Sequence, residues 1–210
     1  DPEEQGQVDH GDNPADDFTS ELLAAHLENP EDLTYKEIES VIYGLSFAGH
    51  EIVTNFLSNS LICLFSNRAQ WDEICNDSSK IENAIEEVLR HNSPQTSWRR
   101  VANEDTEIAG IKVPAGTQIF LSLASANNDD EEFPDPRLYD IARENASKHI
   151  SFGRGIHFCL GARLATLEAN IALETLTKKV PSLDLVPDQD LTYFPNLTMR
   201  GPAELWLRWS

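Results

Sequence analysis

Residues 151–161 read SFGRGIHFCLG. Cys159 stands there among Ser151, Gly153, Gly155 and Gly161, with Phe152 upstream and His157 two positions before it. Three glycines free the backbone to approach a neighbour closely and to take positive φ. Behind the loop, Leu160 to Val180 carries apolar residues at Leu164, Leu167, Ile171 and Leu176, a helical stripe. A helix starting just after Cys159 would offer free N–H groups that stabilise a thiolate. Such a thiolate is either a nucleophile or a metal ligand. Zinc finds too few ligands in His157 and Cys159. Gly153 and Gly155 give G-x-G, but Phe158 stands where a dinucleotide loop has its third glycine. A cysteine hydrolase needs a distant base, and no clear signature for one is present. Thiolate ligation of haem iron fits best: one soft axial ligand, a flat macrocycle against bare backbone, and a histidine to meet a propionate.

The elements that must hold this loop follow from pattern. Residues 1–17 read as an acidic linker or mobile loop. Phe18, Leu22, Leu23 and Leu27 have helical spacing, and NPEDLT breaks it. Thr34 and Glu37 form a T-x-x-E capping box, and no proline interrupts Tyr35 to Asn67, which predicts one long helix. Gly44 and Gly49 weaken that helix by up to about 1 kcal/mol each, so a packing or ligand reason is expected for them. Helical patterns follow at Arg68–Cys75 and Ser79–His91. From Trp98 to Ser122, alternation with Ala-Gly and Pro-Ala-Gly turn signals predicts two or three short strands. Residues 127–149 read as irregular, and LTMRGPAELWLRW as a closing strand pair. His91 and His149 stand at element ends, where solvent contact is the default. The expected fold is mainly α with small β-sheets (α+β).

The 210 residues carry a net charge of −20, with 40% hydrophobic and 25% charged residues. That suits one globular domain or a large piece of one. Such a surface repels nucleic acid and anionic membrane. No apolar run approaches the roughly 20 residues that span a bilayer. The opening DPEEQGQVDHGDNPADDF has neither the basic nor the apolar region of a signal peptide. Cys63, Cys75 and Cys159 form no disulfide framework, which points to a reducing cytoplasm. Cys63 and Cys75 read as buried or half-buried structural thiols.

Phe152–Gly161, FGRGIHFCLG, resembles the haem-binding signature F-G-x-G-x-H-x-C-x-G of the cytochrome P-450 family. The resemblance implies haem b, with Cys159 as proximal thiolate, His157 on a propionate, and Phe152 beside the sulfur. Gly153 and Gly161 would let the backbone approach the macrocycle. Three further stretches resemble family motifs in the same order. Glu87-Val88-Leu89-Arg90 matches E-x-x-R, whose members share a helix face. Arg143 in YDIARENASKH matches the third member of a buried Glu–Arg–Arg cluster. Arg100 in SWRRVA falls where an arginine reaches a propionate. FAGHEIVTNFL resembles the oxygen-binding groove [AG]-G-x-[DE]-T. Ala48 and Gly49 would open the groove and Glu51 would help relay protons, but Ile52 stands where the family usually has threonine.

The resemblance runs from about Phe18 to Trp209 and is closest to soluble bacterial members, whose domain is about twice as long. Residues 18–210 therefore read as the C-terminal part of a single haem-binding domain whose N-terminal half is missing. The resemblance implies a monooxygenase that inserts one atom of O2 into a small organic substrate. Ala48, Gly49, Ile52 and Val53, with the loop from Thr96 to Trp98, would line the substrate's approach, and Asn196 and Leu197 would form a third wall. Electrons would come from a ferredoxin or flavodoxin type partner, or from a fused reductase domain outside this chain. The alternative is a haem-binding module with a reductive or other non-monooxygenase role, and the fragment alone is expected to be inactive.

Overall fold

The computed structural model describes residues 15–210, so most of the acidic opening lies outside the described residues. The chain divides into two compact units at His50/Glu51. In the first, α1 (Phe18–Glu28) begins at Asp17, whose Oδ1 accepts the Ser20 N–H at 2.8 Å. The expected capping box is formed: the Thr34 N–H donates to Glu37 Oε2 at 2.8 Å, and the Glu37 N–H to Thr34 Oγ1 at 3.3 Å. It opens α2, which runs Tyr35–Ser66 across the division. Gly44 and Gly49 have open space where a Cβ would stand. Packing against the described residues explains neither glycine.

The second unit holds the core. α3 (Arg68–Asn76), a short 3-10 turn (Ser78–Lys80) and α4 (Ile81–His91) follow α2. α4 buries Ile81, Ala84, Ile85, Val88 and Leu89, the spacing of one helix face. These pack with Phe56, Leu64, Trp71, Ile74, Tyr139, Ala169 and Leu173. Trp71 is fully buried, its ring edge meets Phe65 at 4.8 Å, and its Nε1–H donates to the Pro181 carbonyl at 2.9 Å.

The predicted strand region holds four strands in two hairpin-like pairs. β1 (Ser97–Val101) pairs antiparallel with β4 (Gln118–Ser122), and β2 (Thr106–Ile108) with β3 (Ile111–Val113). Ala109 and Gly110 both take positive φ, 49° and 81°, which is the two-residue turn that suits the twist of a hairpin. A short α5 (Leu123–Ala126) precedes the stretch predicted as irregular, and a 3-10 turn (Ala146–Lys148) interrupts it. α6 is Ala162–Lys179.

Three expectations need correction. The closing strand pair is not internal to the tail: β6 (Leu207–Arg208) pairs with β5 (Asp184–Leu185), and the isolated bridges Tyr193–Pro202 and Gln95–Met199 also join the tail to residues outside it. Of the stripe, Leu176 packs against the core but Leu164, Leu167 and Ile171 are exposed, whereas Ala162, Ala169, Leu173 and Thr177 face the core. Small residues let α6 sit close to α4, and periodicity alone does not say which apolar face is covered. Third, the His149 side chain is only 4% exposed rather than solvated.

Candidate haem-thiolate site

Glu87 and Arg90 lie one helical turn apart on α4 with fully buried side chains. Arg90 Nε donates to Glu87 Oε2 at 2.7 Å and Nη2 to Oε1 at 2.8 Å, a bidentate pair. Arg143 Nε reaches the same Oε1 at 3.1 Å. The guanidinium groups then spend their remaining donors on backbone. Arg90 reaches the carbonyls of Asn127, Pro136 and Leu138, and Arg143 those of Pro134, Asp135 and Leu138. Segment 127–143 has almost no regular structure, so side-chain donors replace the ladder that a sheet would supply.

From that segment the chain enters the thiol loop under a second set of pins. Asn127 is fully buried; its Oδ1 accepts the Ile150 N–H at 2.8 Å, and its Nδ2 donates to Ser151 Oγ at 2.8 Å. Ser151 Oγ donates in turn to the Leu89 carbonyl at 2.6 Å. Sequence reasoning missed Asn127 and His149, and gave Ser151 no role beyond turn-forming. Ser151 and His149 border the glycine loop, but Asn127 is 24 residues away from its partner and carried no local signal.

Gly153 (φ 75°) and Gly155 (φ 71°) use the left-handed freedom that a side chain would oppose. Gly161, by contrast, has φ −85° and serves as the N-cap residue of α6. The Cys159 N–H donates to the Phe152 carbonyl at 2.9 Å, which closes the loop on itself. Cys159 is an exposed free thiol. Around it Ile156 (96%), Leu160 (88%) and Phe158 (57%) are exposed apolar residues, and His157 and the nearby Arg154 are also exposed. No group of three or more His, Cys, Asp or Glu capable of holding a metal occurs among the described residues. One exposed sulfur ringed by uncovered apolar surface and bare glycine backbone fits a flat, apolar macrocycle held by a single thiolate. These residues fit haem better than a multi-ligand ion.

The other predicted residues fall as follows. Arg100 is exposed on β1, opposite Ile119, with Nη1 on the Arg99 carbonyl at 2.9 Å. Ala48 and Gly49 are exposed positions of α2, and Glu51, Ile52 and Val53 are half-buried positions further along it. Thr96 and the tail meet: Thr96 Oγ1 donates to the Leu197 carbonyl at 2.9 Å and its N–H to the Thr198 carbonyl at 2.8 Å. Trp98 stands two residues on, half exposed. Asn59, in the middle of α2, fixes this tail, donating from Nδ2 to the carbonyls of Asn92 and Arg200. Gly201 has no room for a Cβ, which would fall 2.0 Å from Asn55 Oδ1. An asparagine inside an apolar helix was the signal for Asn59.

Residues 79–189 match the family model described as Cytochrome P-450. The chain belongs to the cytochrome P-450 family. It is 39% identical to the biotin biosynthesis cytochrome P-450 of Bacillus subtilis, over 92% of this chain and 48% of that protein. It is 37% identical to the cytochrome P-450 monooxygenase PikC of Streptomyces venezuelae, over 92% of this chain and 47% of that protein. Among solved structures it matches an intact type IV self-sufficient cytochrome P-450 monooxygenase at TM-score 0.91 and 40% identity, over 95% of this chain and 26% of that one. It also matches cytochrome P-450 CREJ in complex with (4-ethylphenyl) dihydrogen phosphate at TM-score 0.91 and 40% identity, over 94% of this chain and 49% of that one. The chain thus spans about half the length of the curated P-450 relatives it matches. The family is a haem family, its fold is α+β, and no helix among the described residues is long and apolar enough to cross a membrane.

Proposed function

We propose that this chain is the C-terminal part of a haem-thiolate monooxygenase that inserts one oxygen atom of O2 into a small organic substrate. The observation that carries the reading is Cys159: an exposed thiol, its backbone fixed by the Phe152 carbonyl, on a glycine loop ringed by uncovered apolar residues. The proposed cofactor is haem b, with Cys159 as its sulfur ligand and Arg100 and His157 on its propionates. Phe152 packs beside the sulfur, and Gly153, Gly161 and Ala48 keep side chains out of its way. When bound, a thiolate-ligated haem supplies the electron push that favours O–O cleavage.

The chain's own residues then have separate tasks. Val53, Thr96 and Trp98 contact the substrate, and the bonds of Thr96 to the tail hold that wall in place. The bare surface at Gly49 supports a role as open groove, since a Cβ there would touch none of the described residues. Glu51 handles protons, and Ile52 offers no hydroxyl to pass them on. Electrons come from a ferredoxin or flavodoxin type protein or from a fused reductase domain. One structural neighbour is named a self-sufficient cytochrome P-450 monooxygenase. Three free cysteines suit a cytoplasmic enzyme. The 210 residues alone are proposed to be inactive and prone to associate, because Leu164, Leu167, Ile171 and the loop apolar residues are uncovered.

Ile52 favours a second reading, a haem-binding module with reductive chemistry. Product formed per nicotinamide consumed, in the full-length protein with a surrogate ferredoxin pair, separates the two. The monooxygenase reading expects oxygenated product, and a higher yield per nicotinamide in Ile52→Thr. No oxygenated product across a broad substrate panel, with reduced products instead, supports the second reading. A lower yield in the threonine variant means that the proton route runs through the substrate or other residues.

A further inference from the structure

His149 sits ten residues before Cys159, outside the loop signature, and it is buried. Its Nδ1 accepts the Ser151 N–H at 3.1 Å. A backbone N–H can only donate, so Nδ1 is unprotonated and the ring's proton is on Nε2. Nε2 is buried, without a hydrogen-bond partner among the described residues, and lies 3.3 Å from Glu86 Oε2 on α4. A carboxylate at that place favours the tautomer that leaves Nδ1 free. The ring also lies against Phe152, centroids 5.7 Å apart. Ser151 and Phe152 are consecutive, and the Phe152 carbonyl is the acceptor for the Cys159 N–H. Only three contacts therefore separate Glu86 from the thiol-bearing residue: carboxylate to imidazole, imidazole to the 151–152 backbone, and Phe152 to Cys159.

We propose that His149, oriented by Glu86, is a positioning residue for the thiolate: it fixes the 151–152 backbone on which the Cys159 amide hangs. Asn127 and the Leu89 carbonyl hold Ile150 and the Ser151 hydroxyl, but among the described residues the Ser151 amide is held by His149. The loop beyond is exposed and has few bonds of its own, so its entry point sets its geometry. Glu86, His149, Phe152 and Phe158 also border a cleft of about 520 Å³ that Arg163 helps to line beside the start of α6. On that side the ring of His149 meets the Glu86 carboxylate, and Phe152 packs against it as well.

The inference rests on Cys159 being the iron ligand, and the test separates the two. Full-length holoprotein is compared as wild type, His149→Leu, His149→Asn and Glu86→Leu, well below each variant's Tm. The readouts are amide hydrogen exchange at Ser151 and Cys159 and the Soret position of the reduced carbon monoxide complex. His149→Leu is expected to speed exchange at both amides about tenfold or more and to lower the thiolate-ligated fraction. Asparagine keeps an acceptor at the δ position and should restore slow exchange at Ser151. Glu86→Leu, on a partly exposed helix position, should speed both amides about threefold. If His149→Leu does not fold, Glu86→Leu decides. Wild-type exchange at Ser151 and Cys159 in Glu86→Leu, or equal exchange in the leucine and asparagine variants, overturns the proposal. Absence of the thiolate signature in wild type overturns the ligand assignment instead.

Discussion

Segment 127–151 and loop 153–160 are neighbours in the chain and opposite in character. The first is irregular yet over-determined. Glu87, Arg90, Arg143, Asn127 and Ser151 are buried, and the two arginines and the asparagine together bond to backbone groups at its start, between Pro134 and Leu138, and at Ile150 near its end. The second is exposed from Arg154 to Leu160, and its backbone bonds are few: Gly153 to Ile150, Phe158 to Gly155, Cys159 to Phe152, and Ala162 to Cys159. Lack of regular structure thus means two different things here. In the first segment it is rigidity achieved by side chains. In the second it is surface left open at the thiol, with geometry inherited from the ends.

Breaking the rigid side gives the largest effect. Glu87→Ala leaves two buried guanidinium groups uncompensated and should cost about 3–5 kcal/mol, read as a lowered urea midpoint. An unchanged midpoint would mean that the cluster is not a support. Asn127→Ala strands the Ile150 N–H and one bond of Ser151 Oγ, at about 1–3 kcal/mol by the same measurement.

Alkaline pH probes the core behind the cluster. Burial pushes the Cys63 thiol up from 9.0 to about 12, against a bond from Asn92 that lowers it. The unfolded chain then releases its proton first, so it binds fewer protons than the folded state and stability falls as pH rises. By pH 10 the loss relative to neutral pH should reach about 1.4 kcal/mol, continuing toward pH 12. Tyr139, raised by burial, adds to the loss above pH 10. A urea midpoint flat from pH 8 to pH 10 would contradict the burial of Cys63. The smallest effect belongs to the exposed counterpart of the buried pair. Lys178 meets Glu174 at 2.9 Å on the solvent side of α6, and Lys178→Ala should change stability by no more than about 0.5 kcal/mol.

What could be read in the sequence was what lies close along the chain. Glu87 and Arg90 are three residues apart, the capping box at Thr34 is four residues long, and the thiol loop is one continuous stretch. The long α2 was legible because no proline interrupts it. Arg143 was assigned only through a resemblance, because nothing local ties it to a carboxylate 56 residues earlier. Asn127 and His149 were not legible as supports, since each draws its meaning from α4 and from the loop folding against it. The α6 stripe shows the converse limit. Its period was right, but the face in contact with the core is the one bearing Ala162 and Ala169, where small residues permit close approach.

The account stands most directly on the sulfur of Cys159. The measurement is the absorption spectrum of the reduced carbon monoxide complex of the full-length protein, as wild type and as Cys159→His. The account predicts a far-red-shifted Soret band in wild type. In the variant it predicts that haem is retained without that band. Persistence of the shifted band in Cys159→His, or its absence from haem-loaded wild type, would contradict it.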